Sequence, residues 1–160
     1  MLTNPNYPNI AYDPDTGTVY RTYKYTKNFR KILPDGQYFL YANNPQGRLL
    51  RRKAHHMCWM IANGEIPDEH YVIQLVPNDL RLCNLKLLNK QEYIKYTDAL
   101  YNLENISIKP ESRKYTYVLK YMQDGKLASV KGLEYDNALK LRSYLAGEAR
   151  EWLDKFKEKV

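Results

Sequence analysis

The chain has 160 residues, with 25 Lys+Arg against 18 Asp+Glu and a formal net charge of +7; at 44% hydrophobic it is too apolar for a disordered protein. No run of about 18 apolar residues exists, so no membrane partner is expected, and the polar stretch Met1–Asn9 lacks the apolar core of a secretory signal. Two cysteines, Cys58 and Cys83, are too few for a disulfide framework and point to a reducing compartment, while 16 tyrosines exceed what a core of this size needs.

The turn-rich Asp13-Pro14-Asp15-Thr16-Gly17 precedes an alternating strand over 18–25. Pro34-Asp35-Gly36 leads into a strand over 37–42, and Asn43-Asn44-Pro45-Gln46-Gly47 into another over 48–52. The three strands read as a small antiparallel meander. Residues 54–63 predict a helix whose apolar surface comes from Met57, Cys58, Trp59, Met60 and Ile61; Gly64 ends it and Pro67 reinforces the stop. A short strand is expected at 71–76, then a helix from Asn89 to about Asn105, with Glu92 at capping-box spacing. Lys109-Pro110-Glu111-Ser112 reads as the linker. Beyond it, strands at 114–122 and 126–131 flank the hairpin signal Gln123-Asp124-Gly125. A long helix over about 137–157, N-capped by Asp136, carries the stripe Ala138, Leu139, Leu145, Ala149, Trp152, Leu153 and Phe156, which reads as the face packed on the hairpin.

Charge is concentrated in one segment. Between Tyr20 and Lys53 lie nine bases (Arg21, Lys24, Lys27, Arg30, Lys31, Arg48, Arg51, Arg52 and Lys53) and one acid, Asp35, which leaves the rest of the chain with 16 bases and 17 acids. A local surplus of +8 concentrates a polyanion and, on DNA, displaces counterions; the alternative is a solvated face kept basic for solubility.

Residues 54–67 read Ala-His-His-Met-Cys-Trp-Met-Ile-Ala-Asn-Gly-Glu-Ile-Pro, followed by Tyr71-Val72-Ile73-Gln74 and Asn78-Asp79-Leu80-Arg81-Leu82-Cys83-Asn84-Leu85. This stretch resembles the phage HNH homing endonucleases, including those with an AP2-like DNA-binding module behind the nuclease. Their pattern runs Ala-His-x-x-x-Trp on a helix, Gly-x-x-Pro, a strand ending in Asp-His, a loop Asp-Asn-Arg-x-x-Asn-Leu, and a helix with a metal-binding Asn. The Asp13–Gly17 turn is similar to the family's opening, and residues 113–157 are similar to the AP2 arrangement in outline. The resemblance implies an α+β fold: small antiparallel strands with an HNH-like ββα core over 10–106, then an AP2-like β-hairpin and long helix over 112–160. It also implies a phage origin and action in the cytoplasm of a bacterial host.

Scaffold positions of the pattern are retained at His55, Trp59, Gly64, Pro67, Asp79, Arg81, Asn84 and Leu85. The positions that do chemistry are not. The Asp-His pair falls on Ile73-Gln74, the helical Asn falls on Tyr93, and the loop between Gln74 and Asn84 is about two residues short of the pattern. Ile73 cannot bind a hard cation, Gln74 has no basic nitrogen, and Tyr93 has no amide oxygen. The expectation is a degenerate HNH endonuclease with no catalytic residue, no metal and no cofactor.

As phosphate contacts on double-stranded DNA the sequence offers Lys24, Lys27, Arg48, Arg51, Arg52, Lys53 and His55, with Arg113, Lys114 and Lys120 behind them. The last three lie on a stretch whose alternation sets Arg113, Tyr115, Tyr117, Leu119 and Tyr121 against Lys114, Thr116, Val118 and Lys120. There Tyr115, Tyr117 and Leu119 read as core under the long helix. No paired Cys or His spacing supports zinc, and Cys58 reads as an inert thiol on an apolar helix face rather than the partner of His55 in a nucleophilic pair. Two other readings stay open. The tyrosine excess suits a protein that binds and inhibits or redirects a host polymerase or defence nuclease, and a displaced site would leave an active metal-dependent endonuclease.

Overall fold

A computed structural model describes residues 1–22, 28–32 and 39–160; Lys24 and Lys27 lie outside them. The described residues form a mixed α+β chain of three α-helices and several small antiparallel sheets. It divides into two compact units, Met1–Asn89 and Lys90–Val160.

In the first unit, β1 (Leu2–Thr3), β2 (Ile10–Asp13), β3 (Thr18–Arg21) and β4 (Arg30–Ile32) make an antiparallel sheet in chain order. The β2–β3 turn closes with Gly17 at a φ of +72°. β5 (Phe39–Asn43) and β6 (Leu49–Lys53) pair as a hairpin, and the chain passes from Lys53 straight into α1 (Ala54–Asn63). α1 spans the expected residues because Ala54, Met57, Cys58 and Ile61 recur at helical spacing and are all buried. They meet Ile10, Tyr12 and Val19 of the sheet, Leu40 and Ala42 of β5, and Val72 and Leu85 in one core. Burying a side chain such as Met57 or Ile61 contributes about 1.5–3 kcal/mol. Gly64, at a φ of +93°, ends α1 and donates its N–H to the Met60 carbonyl. A second hairpin, β7 (His70–Gln74) and β8 (Leu85–Asn89), is joined by a loop that ends in a 3-10 turn over Leu82–Asn84.

The second unit opens on α2 (Lys90–Glu104), followed by β9 (Ser107–Pro110), β10 (Tyr117–Gln123), β11 (Lys126–Leu133) and α3 (Tyr135–Lys159). β10 is the central strand of this sheet. Asp124 and Gly125 both have positive φ, as a two-residue hairpin turn requires. α2 belongs here rather than with the residues before it. Tyr96 packs against Phe156 of α3 at 5.5 Å between centroids, and the Asp98 carboxylate accepts from the Gly125 N–H at 3.1 Å. Where β9 stops pairing at Ser107↔Lys120, the Asn102 side chain continues the ladder, accepting from the Met122 N–H and donating to its carbonyl, both at 2.8 Å.

Four local expectations change. The three strands expected as one meander fall in two sheets, β3 pairing with β2 and β4 and β5 with β6 alone, because the intervening β4 takes the edge of β3. The stretch expected as linker, 109–112, is half strand: Lys109 and Pro110 end β9, where an edge position tolerates a proline. The strand expected from 114 begins at Tyr117, because residues 111–116 close a turn in which the Thr116 hydroxyl donates to Glu111 and the Glu111 N–H to the Thr116 carbonyl. α3 starts two residues early, with Glu134 at the N-cap and Asp136 in the first turn. No helix among the described residues is long and apolar enough to cross a membrane.

Candidate nucleic-acid interface

In the β5–β6 register Phe39 faces Lys53, Leu40 faces Arg52, Tyr41 faces Arg51 and Ala42 faces Leu50. Directly opposed residues share a face of the ribbon. Leu40, Ala42 and Leu50 therefore turn into the core, while Phe39, Tyr41, Leu49, Arg51 and Lys53 line the outer face. Arg52 shares the inner face at the ribbon's end and still reaches solvent, donating to the Arg51 carbonyl at 3.0 Å. Arg48 follows the turn, braced by Asn44, whose side chain accepts from the Arg48 N–H at 2.7 Å. Arg48, Arg51, Arg52 and Lys53 are exposed, no acid occurs between Phe39 and Lys53, and among the described residues none of the four is held in an ion pair. Arg30 and Lys31, on the edge strand β4, are exposed as well. Arg21 differs from the rest, since its guanidinium donates to the Tyr41 carbonyl and ties β3 to the hairpin.

His55 sits in the first turn of α1, half-buried, its ring 4.5 Å from that of His56. Burial, helped by His56 and Lys53, lowers its pKa to about 4, although a hydrogen bond with the Val72 backbone works the other way. At neutral pH the ring carries no charge, and its one N–H is taken by the Val72 backbone, which leaves a phosphate only an acceptor nitrogen. Burial pushes the Cys58 thiol up to about 12, so that sulfur is no nucleophile near pH 7.

The remaining expected contacts are scattered. Arg113, at a φ of +59°, and Lys114 lie in the β9–β10 turn, both exposed. Lys120 is exposed on the face of β10 opposite Leu119. Lys109, which composition alone did not single out, shares that face through its pairing with Val118. Tyr117 and Leu119 turn towards the helical side, Tyr117 packing on Tyr135 at 5.1 Å. Tyr115 is fully exposed and corrects its expected place in the core: it precedes the strand and so escapes the alternation.

The β7–β8 hairpin has its polar groups committed to itself. Ile73 is 6% exposed, and the Gln74 amide oxygen accepts from the Asn78 N–H at 3.0 Å. Asn84, also 6% exposed, accepts from the Val76 N–H at 2.7 Å and donates to the Val76 and Asp79 carbonyls at 2.8 Å. Asp79 and Arg81 form an ion pair at 2.6 Å, and hydrogen bonds from Arg81 hold the Asp79 carboxyl below the usual range. The Asp13–Gly17 turn docks on this loop: the Leu82 N–H donates to the Pro14 carbonyl at 2.9 Å and the Tyr12 hydroxyl to that of Leu80. Tyr93 stands in the first turn of α2, in the second unit.

A cavity of about 570 Å³ opens between α2, α3 and the β10–β11 turn, its walls including Asp98, Tyr121, Asp124, Glu148, Glu151 and Trp152. Among the described residues no three His, Cys, Asp or Glu side chains come together to hold a metal. No family model matches the chain, and neither a curated protein nor a solved structure matches it.

Proposed function

We propose that the chain is a double-stranded-DNA-binding protein without nuclease activity, descended from phage HNH homing endonucleases and acting in the bacterial cytoplasm. The observation that carries this reading is the acid-free β5–β6 hairpin, which presents Arg48, Arg51, Arg52 and Lys53 to solvent without ion-pair partners among the described residues. The chain order β7, β8, α2 is that of an HNH core, though α2 packs within the second unit, and the sheet followed by α3 supports an AP2-like module. Loss of cleavage rests on residue chemistry: a buried Ile73 and a Gln74 occupied in bracing its loop supply neither carboxylate nor imidazole.

Fluorescence anisotropy on a labelled duplex tests the reading. Four phosphate contacts lead us to expect roughly 100-fold weaker binding from about 50 to about 200 mM salt, and the double variant Arg51→Glu, Arg52→Glu should lose at least about tenfold at the lower salt. An affinity indifferent to salt sinks the proposal. Supercoiled plasmid with Mg²⁺ or Mn²⁺ should remain intact, and metal-dependent nicking would show that catalysis persists from other residues. The α2–α3 groove, with Trp152 and Tyr121 among four carboxylates, favours a second reading, binding of a host protein. A partner that survives nuclease treatment and is lost on Glu148→Lys would support it.

A further inference from the structure

We infer that the outer face of the β5–β6 hairpin stacks an unpaired nucleobase, so that DNA with exposed bases is preferred over intact duplex. This rests on the DNA-binding reading above and narrows its substrate. Phosphate contact alone asks only for cations on a polar surface. Here the cations Arg51 and Lys53 share one face with Leu49 and with the half-buried Phe39 and Tyr41, and among the described residues none of those three is a member of the core cluster. Leu49 is 61% exposed. The hairpin already buries Leu40, Ala42 and Leu50 on its other side, so folding does not require a second apolar face.

The Arg51 guanidinium carbon lies 3.8 Å from the centre of the Phe39 ring. That distance places the planar cation on the ring, held there by cation–π attraction. Arg51 is nonetheless exposed, which leaves guanidinium surface open to a ligand. A base laid on that surface completes a ring–guanidinium–base stack, and the Tyr41 side chain, directly across the ribbon from Arg51, flanks it. Lys53 and Arg48 lie at the two ends of β6 to meet the adjoining phosphates. Intact duplex presents base edges in its grooves and keeps base faces on their neighbours, which leaves such a platform without a partner.

Anisotropy of the full chain with three labelled DNAs of one sequence, at one salt concentration, tests the inference: a single strand, the intact duplex, and the duplex with a short mismatched bubble. The single strand and the bubble should bind about tenfold tighter than the intact duplex. Arg51→Lys, which keeps the charge and removes the plane, should erase that preference, the single strand and the bubble then binding no tighter than the intact duplex. Tyr41→Ala should weaken the preference, with circular dichroism checking its fold; the exposed Arg51 variant does not depend on that check. Equal affinity for all three DNAs, or an undiminished preference in Arg51→Lys, overturns base stacking and leaves DNA binding standing. Binding to none of them at low salt overturns both.

Discussion

The hairpins β5–β6 and β7–β8 both have five residues per strand and both deliver the chain straight into a helix, yet their polar side chains meet opposite fates. The first closes through residues 44–48, where Asn44 suffices as a brace, so its arginines and lysine remain available to a ligand. The second closes through residues 75–84, a loop too long to hold itself by backbone bonds alone. Asn84 is buried to fix it, with Gln74 and the Asp79–Arg81 pair bracing it nearer the surface. The 75–84 loop needs these braces for its own conformation, which leaves them no part in holding a ligand.

The contrast is sharpest at Asn84. Asn84→Ala removes three hydrogen bonds and strands the Val76 N–H and two carbonyls, at a cost of about 3 kcal/mol in urea unfolding. A loss under about 1 kcal/mol would show that the loop holds without its brace. Gly17→Ala comes next, at about 2 kcal/mol: a Cβ there would sit 2.8 Å from the Arg81 nitrogen on a backbone of positive φ.

A smaller effect follows from His55, at the junction of β6 and α1. Its folded pKa of about 4 lies below the unfolded value of about 6.5, so between those values the unfolded chain binds more protons and stability falls as pH falls. Unfolding measured from pH 7 to pH 4 should show that decline, and His55→Gln should flatten it. The smallest effect belongs to the basic hairpin. Arg48→Gln with Arg52→Gln should leave stability within about 0.5 kcal/mol while making the salt dependence of DNA binding shallower by about two phosphate contacts. A marked loss of stability instead would mean that these side chains serve the fold after all.

Much of this was legible in the sequence where a local rule decides the outcome. α1 follows from apolar periodicity ended by a glycine, and the β10–β11 turn from Asp124-Gly125. The basic hairpin could be read because turn residues and strand residues alternate cleanly there. What escaped depends on partners distant in sequence or on edge positions. β9 hid behind Pro110, and β1 and β2 behind the turn-like Asn4-Pro5-Asn6 that separates them. The strand before Tyr117 was overextended because alternation gives no hint of the Glu111–Thr116 closure. Asp136 satisfied a capping rule that α3 does not use, since its Glu134 N-cap makes no side-chain hydrogen bond. The role of Asn84 was visible only as a matched position, since its partners are backbone groups arranged by the loop itself.

The docking of the 13–17 turn on the 75–84 loop also governs the order in which the first unit can assemble. The Tyr12 hydroxyl bonds a carbonyl 68 residues further along the chain. During synthesis from the N-terminus, β2 and β3 emerge long before Leu80 is available to receive that bond, with the buried Tyr12 ring still exposed. Closing so long a loop is slow relative to forming either hairpin. The amino-terminal sheet must therefore wait for the 75–84 loop, which acts as the clasp that completes folding.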